Sequence, residues 1–330
     1  MREPADRVGI ADTPHDCFSI RLFIDLLCFS SPPHTITTMK RRQFIATGAA
    51  LTAALTQSKW LSALDSDNKY RNEIGIQLYT LRNEIGKDVA GTLKAVAAAG
   101  YKQVEPYGFP GADDMIREAK ANGMAVHSSH INTDGILKPD QKGVQPFEAL
   151  LDKANDLGLT HVVVPYLGAE LRGSLDQYKR VAERCNVAAE KAKRAGIQLA
   201  YHNHAFEFKP LEGGKCGYDV FVEQFSEDMK FEIDVFWVAV GGLDAADLIR
   251  KLSGRVTQLH LKDLDRSVTP PQYDGIPKEA FKELGNGVIP MEPILAAAAD
   301  AGVSHCHVEQ DHSPHPVKSI QQSAEYLRSL

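Results

Sequence analysis

Beyond residue 74 of this 330-residue chain, short apolar or alternating runs recur, separated by stretches with helical periodicity. The pattern predicts strands at 74–80, 103–107, 124–130, 161–166, 197–203, 230–235, 256–262 and 304–309. Between them lie strong helix formers such as 88–99, 174–195 and 290–301, and Gly100, Gly123, Gly158, Gly196 and Gly302 read as helix stops. Eight strand–helix units over this length match a single-domain α/β fold, the (β/α)8 TIM barrel, which is assigned to residues 66–330. A doubly wound dinucleotide fold would carry G-x-G-x-x-G after its first strand, and no such motif stands there. Two connections are long, 131–145 and 263–289, the second with Pro270-Pro271 and Gly285-x-Gly287. Both belong on the C-terminal face of a barrel, where loops cover substrates.

The N-terminal part follows another pattern. Arg41 and Arg42 precede Phe44, Ile45 and a weakly apolar run to Leu55, too short to span a bilayer. Residues 39–65 resemble a twin-arginine export signal, which implies a periplasmic or otherwise exported protein. Met39 is a natural initiator, so residues 1–38 are expected to be a non-native or disordered extension. The patch Phe18–Phe29 is broken by Arg21 and Asp25, and no stable membrane span is expected.

Composition adds little except by exclusion. At 43% hydrophobic and 24% charged the chain reads as an ordinary globular protein, and its net charge of −6 disfavours nucleic acid as a partner. Cys185, Cys216 and Cys306 lie far apart, with no C-x-x-C pair to suggest a disulfide framework or structural zinc.

Candidate chemistry gathers at the strand ends, which converge on one cavity in a barrel. The polar residues there are Glu105, His127, His130, His202, His204, Glu207, Asp234, His260, Lys262, Asp263 and Glu309. Asp234, His260 and Glu309 are embedded in otherwise apolar strands, where a buried carboxylate or imidazole must be paired, hydrogen-bonded or metal-bound. Carboxylates and an imidazole from three consecutive strands are the mixed ligand set of a hard or borderline divalent ion.

At this point the chain resembles the xylose isomerase-like TIM-barrel superfamily, the sugar phosphate isomerase/epimerase family. The resemblance covers about residues 74–330. It is carried by Ile76-Gln77-Leu78-Tyr79-Thr80-Leu81, Gly100-Tyr101-x-x-Val104-Glu105, Tyr201-His202-Asn203-His204-x-Phe206-Glu207-Phe208, Ile233-Asp234, Leu259-His260-Leu261-Lys262-Asp263 and Val308-Glu309. It implies one divalent ion (Mn, Co, Zn or Mg) held by residues of the last four strands, of which Asp234, His260 and Glu309 fill three positions. Relatives have Glu on the fifth strand where this chain has His202, so His202 or Glu207 would be the fourth ligand.

The implied reaction is proton transfer beside a carbonyl of a sugar or keto-sugar, by an isomerase or epimerase. Glu207, His204, Glu309 and Lys262 are the catalytic candidates, and Glu105, His130, His204 and Lys262 the candidates for holding substrate. An inosose dehydratase-like or 3-keto-glycoside lyase activity, and a nonenzymatic exported sugar-binding protein, are the alternatives.

Overall fold

A computed structural model describes residues 69–330. Residues 1–38 and the export-like segment 39–65 lie outside the described residues, as do Cys17 and Cys28. Among the described residues no helix is long and apolar enough to cross a membrane.

Seven parallel strands form one curled sheet. In chain order they are β1 Gly75–Gln77, β2 Gln103–Glu105, β3 His161–Val164, β4 Gln198–His202, β5 Met229–Asp234, β6 Val256–Leu261 and, after a two-stranded ribbon of β7 Asp263–Leu264 and β8 Phe281–Lys282, β9 His305–Val308. The sheet order is β2-β1-β9-β6-β5-β4-β3. Residues 124–131 lie between the outer members, β2 and β3, and complete the ring, giving the TIM barrel that the eight-unit pattern predicts.

That eighth member departs from expectation. The strand predicted at 124–130 is realised as isolated bridges, Gln103 with Ala125, Phe109 with Ile131 and His130 with Val163. Pro106 has no N–H to donate, so on the β2 side the ladder stops after Ala125 and resumes where His130 N donates to Pro106 O at 2.9 Å. The ring is therefore closed by hydrogen bonds without a regular strand. The five helix-stop glycines all take positive φ, between 72° and 92°, as a left-handed C-cap requires.

The apolar core lies between sheet and helices. The barrel lumen differs from the usual layers of branched apolar side chains: Gln77, Glu105, Ser128, His202, Glu232, Asp234, Gln258, His260 and His307 are all buried. Glu105 on β2 reaches His260 on β6 at 2.7 Å, a contact between strands three places apart that only the lumen permits. The register sets this column level by level, with His202 beside Glu232, Asp234 beside His260, and His260 beside His307. A shift between Phe231 and Glu232 lets β6 carry one more residue than β5, which aligns the last two carboxylates of β5 with Gln258 and His260.

Candidate active site

Every one of the eight strand ends contributes to one cavity of about 370 Å³ on the C-terminal face. In chain order the contributors are Tyr79, Tyr107, His130, Tyr166, His202 with His204, Trp237, Lys262, and Glu309 with Asp311. Three larger surface depressions, of about 650, 610 and 450 Å³, share no lining residue with it and hold none of the buried polar column.

Asp234 ends β5 and also caps the helix Val235–Val240. Its Oδ1 accepts from Phe236 N at 2.9 Å and Trp237 N at 3.1 Å, and Asn203 Oδ1 accepts from Asp234 N at 3.0 Å. This leaves Oδ2 pointing out of the cap, buried and with no hydrogen-bond partner. The same turn fixes Trp237 in the cavity wall. One donor atom each from His202, Asp234, His260 and Glu309 lies within 4.8 Å of the others. Two imidazoles and two carboxylates are a donor set that fits a divalent cation. The set uses His202, not Glu207, on the fifth strand.

Lys262 occupies the same neighbourhood. It is 1% exposed, and its Nζ lies 3.0 Å from Asp234 Oδ2, 2.8 Å from Glu309 Oε2 and 3.0 Å from Asp311 Oδ2. Burial works against its charge, but the Asp234, Asp311 and Glu309 carboxylates hold its pKa well above the ordinary lysine range. An ion in the four-residue set would share Asp234 and Glu309 with this ammonium. Burial alone would raise the Glu309 carboxyl, yet Lys262 and His260 hold it well below its usual range.

Beneath the cavity, carboxylates orient the imidazoles. His260 Nδ1 faces Glu309 at 2.9 Å and Nε2 faces Glu105 at 2.7 Å. Glu105 also accepts from Gln77 Nε2 at 2.9 Å and from Ser128 Oγ. Glu232 takes His130 Nε2 at 2.8 Å, His202 Nδ1 at 3.1 Å and Gln258 Nε2 at 3.1 Å. A carboxylate behind a ligating histidine fixes which ring nitrogen carries the proton and how the ring is aimed.

The structure thus gathers His130, His202, His204, Lys262 and Glu309 in the cavity wall with Asp234 and His260 fully buried behind them, and turns two expected site residues, Glu105 and Glu207, to other partners. Glu105 is fully buried with its oxygens taken by Gln77, Ser128 and His260, so it is placed to orient His260 and is not free for a substrate hydroxyl. Glu207 is also fully buried and turned away, accepting from Tyr201 Oη at 2.6 Å and His204 N at 2.8 Å. Burial pushes its carboxyl up to about 8. His204 does line the cavity, packed against Tyr166, Phe206 and Trp237 with ring centroids 5.1–5.3 Å apart, and its Nδ1 has no partner.

Glu232, Asp311 and the aromatic rim escaped the sequence reading. Period-two alternation carried the missing signal for Glu232, which must share a face with Asp234, and for Asp311, two residues past Glu309. Of the rim residues, Tyr79, Tyr107 and Tyr166 fall at the ends of predicted strands but lie just beyond β1, β2 and β3, and Trp237 lies on the helix Val235–Val240, so strand alternation does not mark them as lining.

The xylose isomerase-like TIM barrel family model matches residues 93–330. The inosose dehydratase of Clostridium perfringens (strain 13 / Type A) is 23% identical over 263 residues, covering 72% of this chain and 88% of that protein. A sugar phosphate isomerase/epimerase from Parabacteroides distasonis ATCC 8503 superposes with a TM-score of 0.62 at 24% identity, covering 78% of this chain and 94% of the other. The IOLI protein with a bound zinc atom superposes with a TM-score of 0.60 at 16% identity, covering 78% and 98% respectively.

Proposed function

The chain belongs to the xylose isomerase-like TIM-barrel family, and from that premise we propose that it is a metal-dependent enzyme that moves a proton beside the carbonyl of a sugar or keto-sugar. The observation that carries this is the buried four-residue donor set His202, Asp234, His260 and Glu309, whose donor atoms lie within 4.8 Å of one another beside the cavity. These four residues would hold one divalent ion of the Mn, Co, Zn or Mg class. Such an ion supplies Lewis-acid polarisation of a carbonyl and its neighbouring hydroxyl.

The chain's own groups do the rest. Glu105 and Glu232 hold the rings of His260, His202 and His130 in fixed orientation. His204 lines the cavity as a neutral imidazole, its pKa held well below the ordinary range by burial, and is the group assigned to accept the proton from carbon. The C–H electron pair then forms a C=C bond while the carbonyl π pair moves onto oxygen, giving an enediolate. Lys262 lines the cavity with its ammonium and stabilises negative charge developing on that oxygen. Return of the proton to the neighbouring carbon gives isomerisation, and return to the opposite face gives epimerisation. Tyr107, Tyr166 and Trp237 form the aromatic part of the cavity wall.

The inosose dehydratase likeness favours a second outcome from the same first step. Loss of a β-hydroxyl, protonated as it leaves as water, would yield an enol and then a ketone.

The test is deuterium incorporation from D2O into a panel of ketoses, aldoses and keto-inositols, followed by NMR on metal-loaded and chelator-treated protein. Metal-loaded protein should exchange the proton next to the carbonyl, and chelation should abolish this. His204→Asn should slow exchange by about 10²–10⁴-fold, the usual worth of a general base. Exchange that persists undiminished after chelation, or that never occurs in metal-loaded protein while sugars still bind, would remove the catalytic reading. The second result would leave a binding protein.

A further inference from the structure

Three features of the C-terminal face bear on what the cavity can receive, given that it seats a sugar as proposed above. The first is charge. Among the described residues Lys262 is the only lysine or arginine in the lining, and three carboxylates already surround it, two of which, Glu309 and Asp311, themselves line the cavity. A phosphate dianion would meet acid on that wall and find no free cation.

The second is the loop after the seventh barrel strand, a usual seat of phosphate in this fold. Here the backbone amides of that loop converge on an anion of the chain's own. Asp263 Oδ2 accepts from Gly285 N at 3.0 Å and Gly287 N at 2.9 Å, while Oδ1 accepts from Leu264 N at 2.8 Å and Ile289 N at 2.9 Å. The fit is close enough that a Cβ on Gly287 would lie 2.2 Å from Asp263 Oδ1. The nest is filled.

The third is the rim. Tyr79 and Tyr166 are 41% and 48% exposed although both border the cavity. Each is braced from outside it: the Arg82 guanidinium lies 4.2 Å from the Tyr79 ring centroid, and Arg172 lies 5.1 Å from that of Tyr166 and donates to its hydroxyl at 3.0 Å. Neither arginine lines the cavity. Rigid aromatic faces open to solvent suit the apolar C–H face of a pyranose ring.

We infer that the substrate is a neutral, unphosphorylated sugar carrying a second ring, with the reacting unit at the donor set and the second ring against Tyr79 and Tyr166. The volume of about 370 Å³ leaves room for more than one hexose ring.

Matched ligands test this on the full-length, manganese-loaded protein. Fructose 1-phosphate and 6-phosphate are compared with 1-O- and 6-O-glucosyl-fructose, so that one oxygen carries either a phosphoryl group or a ring. Binding is read by calorimetry and by tryptophan fluorescence, to which Trp60 and Trp237 both contribute. At least one glucosyl-fructose should bind about tenfold more tightly than its phosphate partner and than fructose, and Tyr79→Leu with Tyr166→Leu should erase that advantage. Both side chains are well exposed, so the variants retain the fold. Phosphate esters that bind as tightly as the glucosides, or a failure of every neutral sugar to bind, would overturn the inference. Proton exchange on phosphorylated sugars would remove this inference and leave the catalytic proposal standing. Glucoside binding without exchange on any sugar would do the reverse.

Discussion

Glu207 is held at both oxygens, by the Tyr201 hydroxyl and the His204 amide, in a site that also faces Tyr178, Tyr218 and Arg172. Burial raises its carboxyl to about 8, so the folded protein keeps this proton far above the pH at which an unfolded chain releases it. The stability it contributes is full below about pH 4.5 and is lost as pH rises towards 8. Glu207→Gln preserves an acceptor for His204 N and cannot ionise. Its stability relative to the parent should therefore climb between pH 5 and 8, by up to ~1.4 kcal/mol per pH unit, in urea melts at each pH. A flat difference across that window would show that Glu207 ionises as freely folded as unfolded. At the same scale, the sequence reading identified the titratable strand-end residues but could not assign their duties. From sequence, Glu105 is expected to hold substrate and Glu207 to ligate or catalyse; in the structure their oxygens are taken by Gln77, Ser128 and His260 and by Tyr201 and His204, because the direction of a carboxylate depends on what packs against it.

At the level of elements, β1 shows how a lumen full of imidazoles is accommodated. A Cβ on Gly75 would lie 2.5 Å from the His307 ring and 2.7 Å from Cys306 O, so only glycine lets β1 approach β9 with His307 turned inward. Gly75→Ala should cost about 1–3 kcal/mol by overpacking, seen as a lower midpoint in thermal or denaturant melts. A neutral result would mean that the β1–β9 pair yields easily. Most elements were legible because their periodicity is strong: the buried run Val162–Val164 and the capped, amphipathic helix Leu175–Arg194 both fall where the pattern predicts them. Residues 124–131 show the limit. Their apolar alternation reads as a strand, while Pro106, on a different element, breaks the ladder they would join.

For the whole molecule, the donor set assembles only when the sheet does, since His202, Asp234, His260 and Glu309 stand on or just after four neighbouring strands, β4, β5, β6 and β9. A divalent ion bound there stabilises the folded state alone. Adding manganese, cobalt, zinc or magnesium to chelator-stripped protein should raise the melting temperature, with a gain of about 2.7 kcal/mol at a hundredfold excess over Kd. Asp234→Asn keeps the helix cap but loses the charge, and it should lose most of that gain; equal stabilisation of both proteins would place the ion elsewhere. By itself the sequence determined the number and order of βα units, the family resemblance, and Asp234, His260 and Glu309 as a group destined for one cavity, because hydrophobic period and strand-end position are local properties of the chain. It also supplied the export-like segment at Arg41 and Arg42. Only the tertiary structure decided that His202 completes the set, that Lys262 sits among three carboxylates, that Asp263 fills the amide nest, and that tyrosines form the rim. Each of those depends on distances between side chains brought together by barrel closure, which no local pattern encodes.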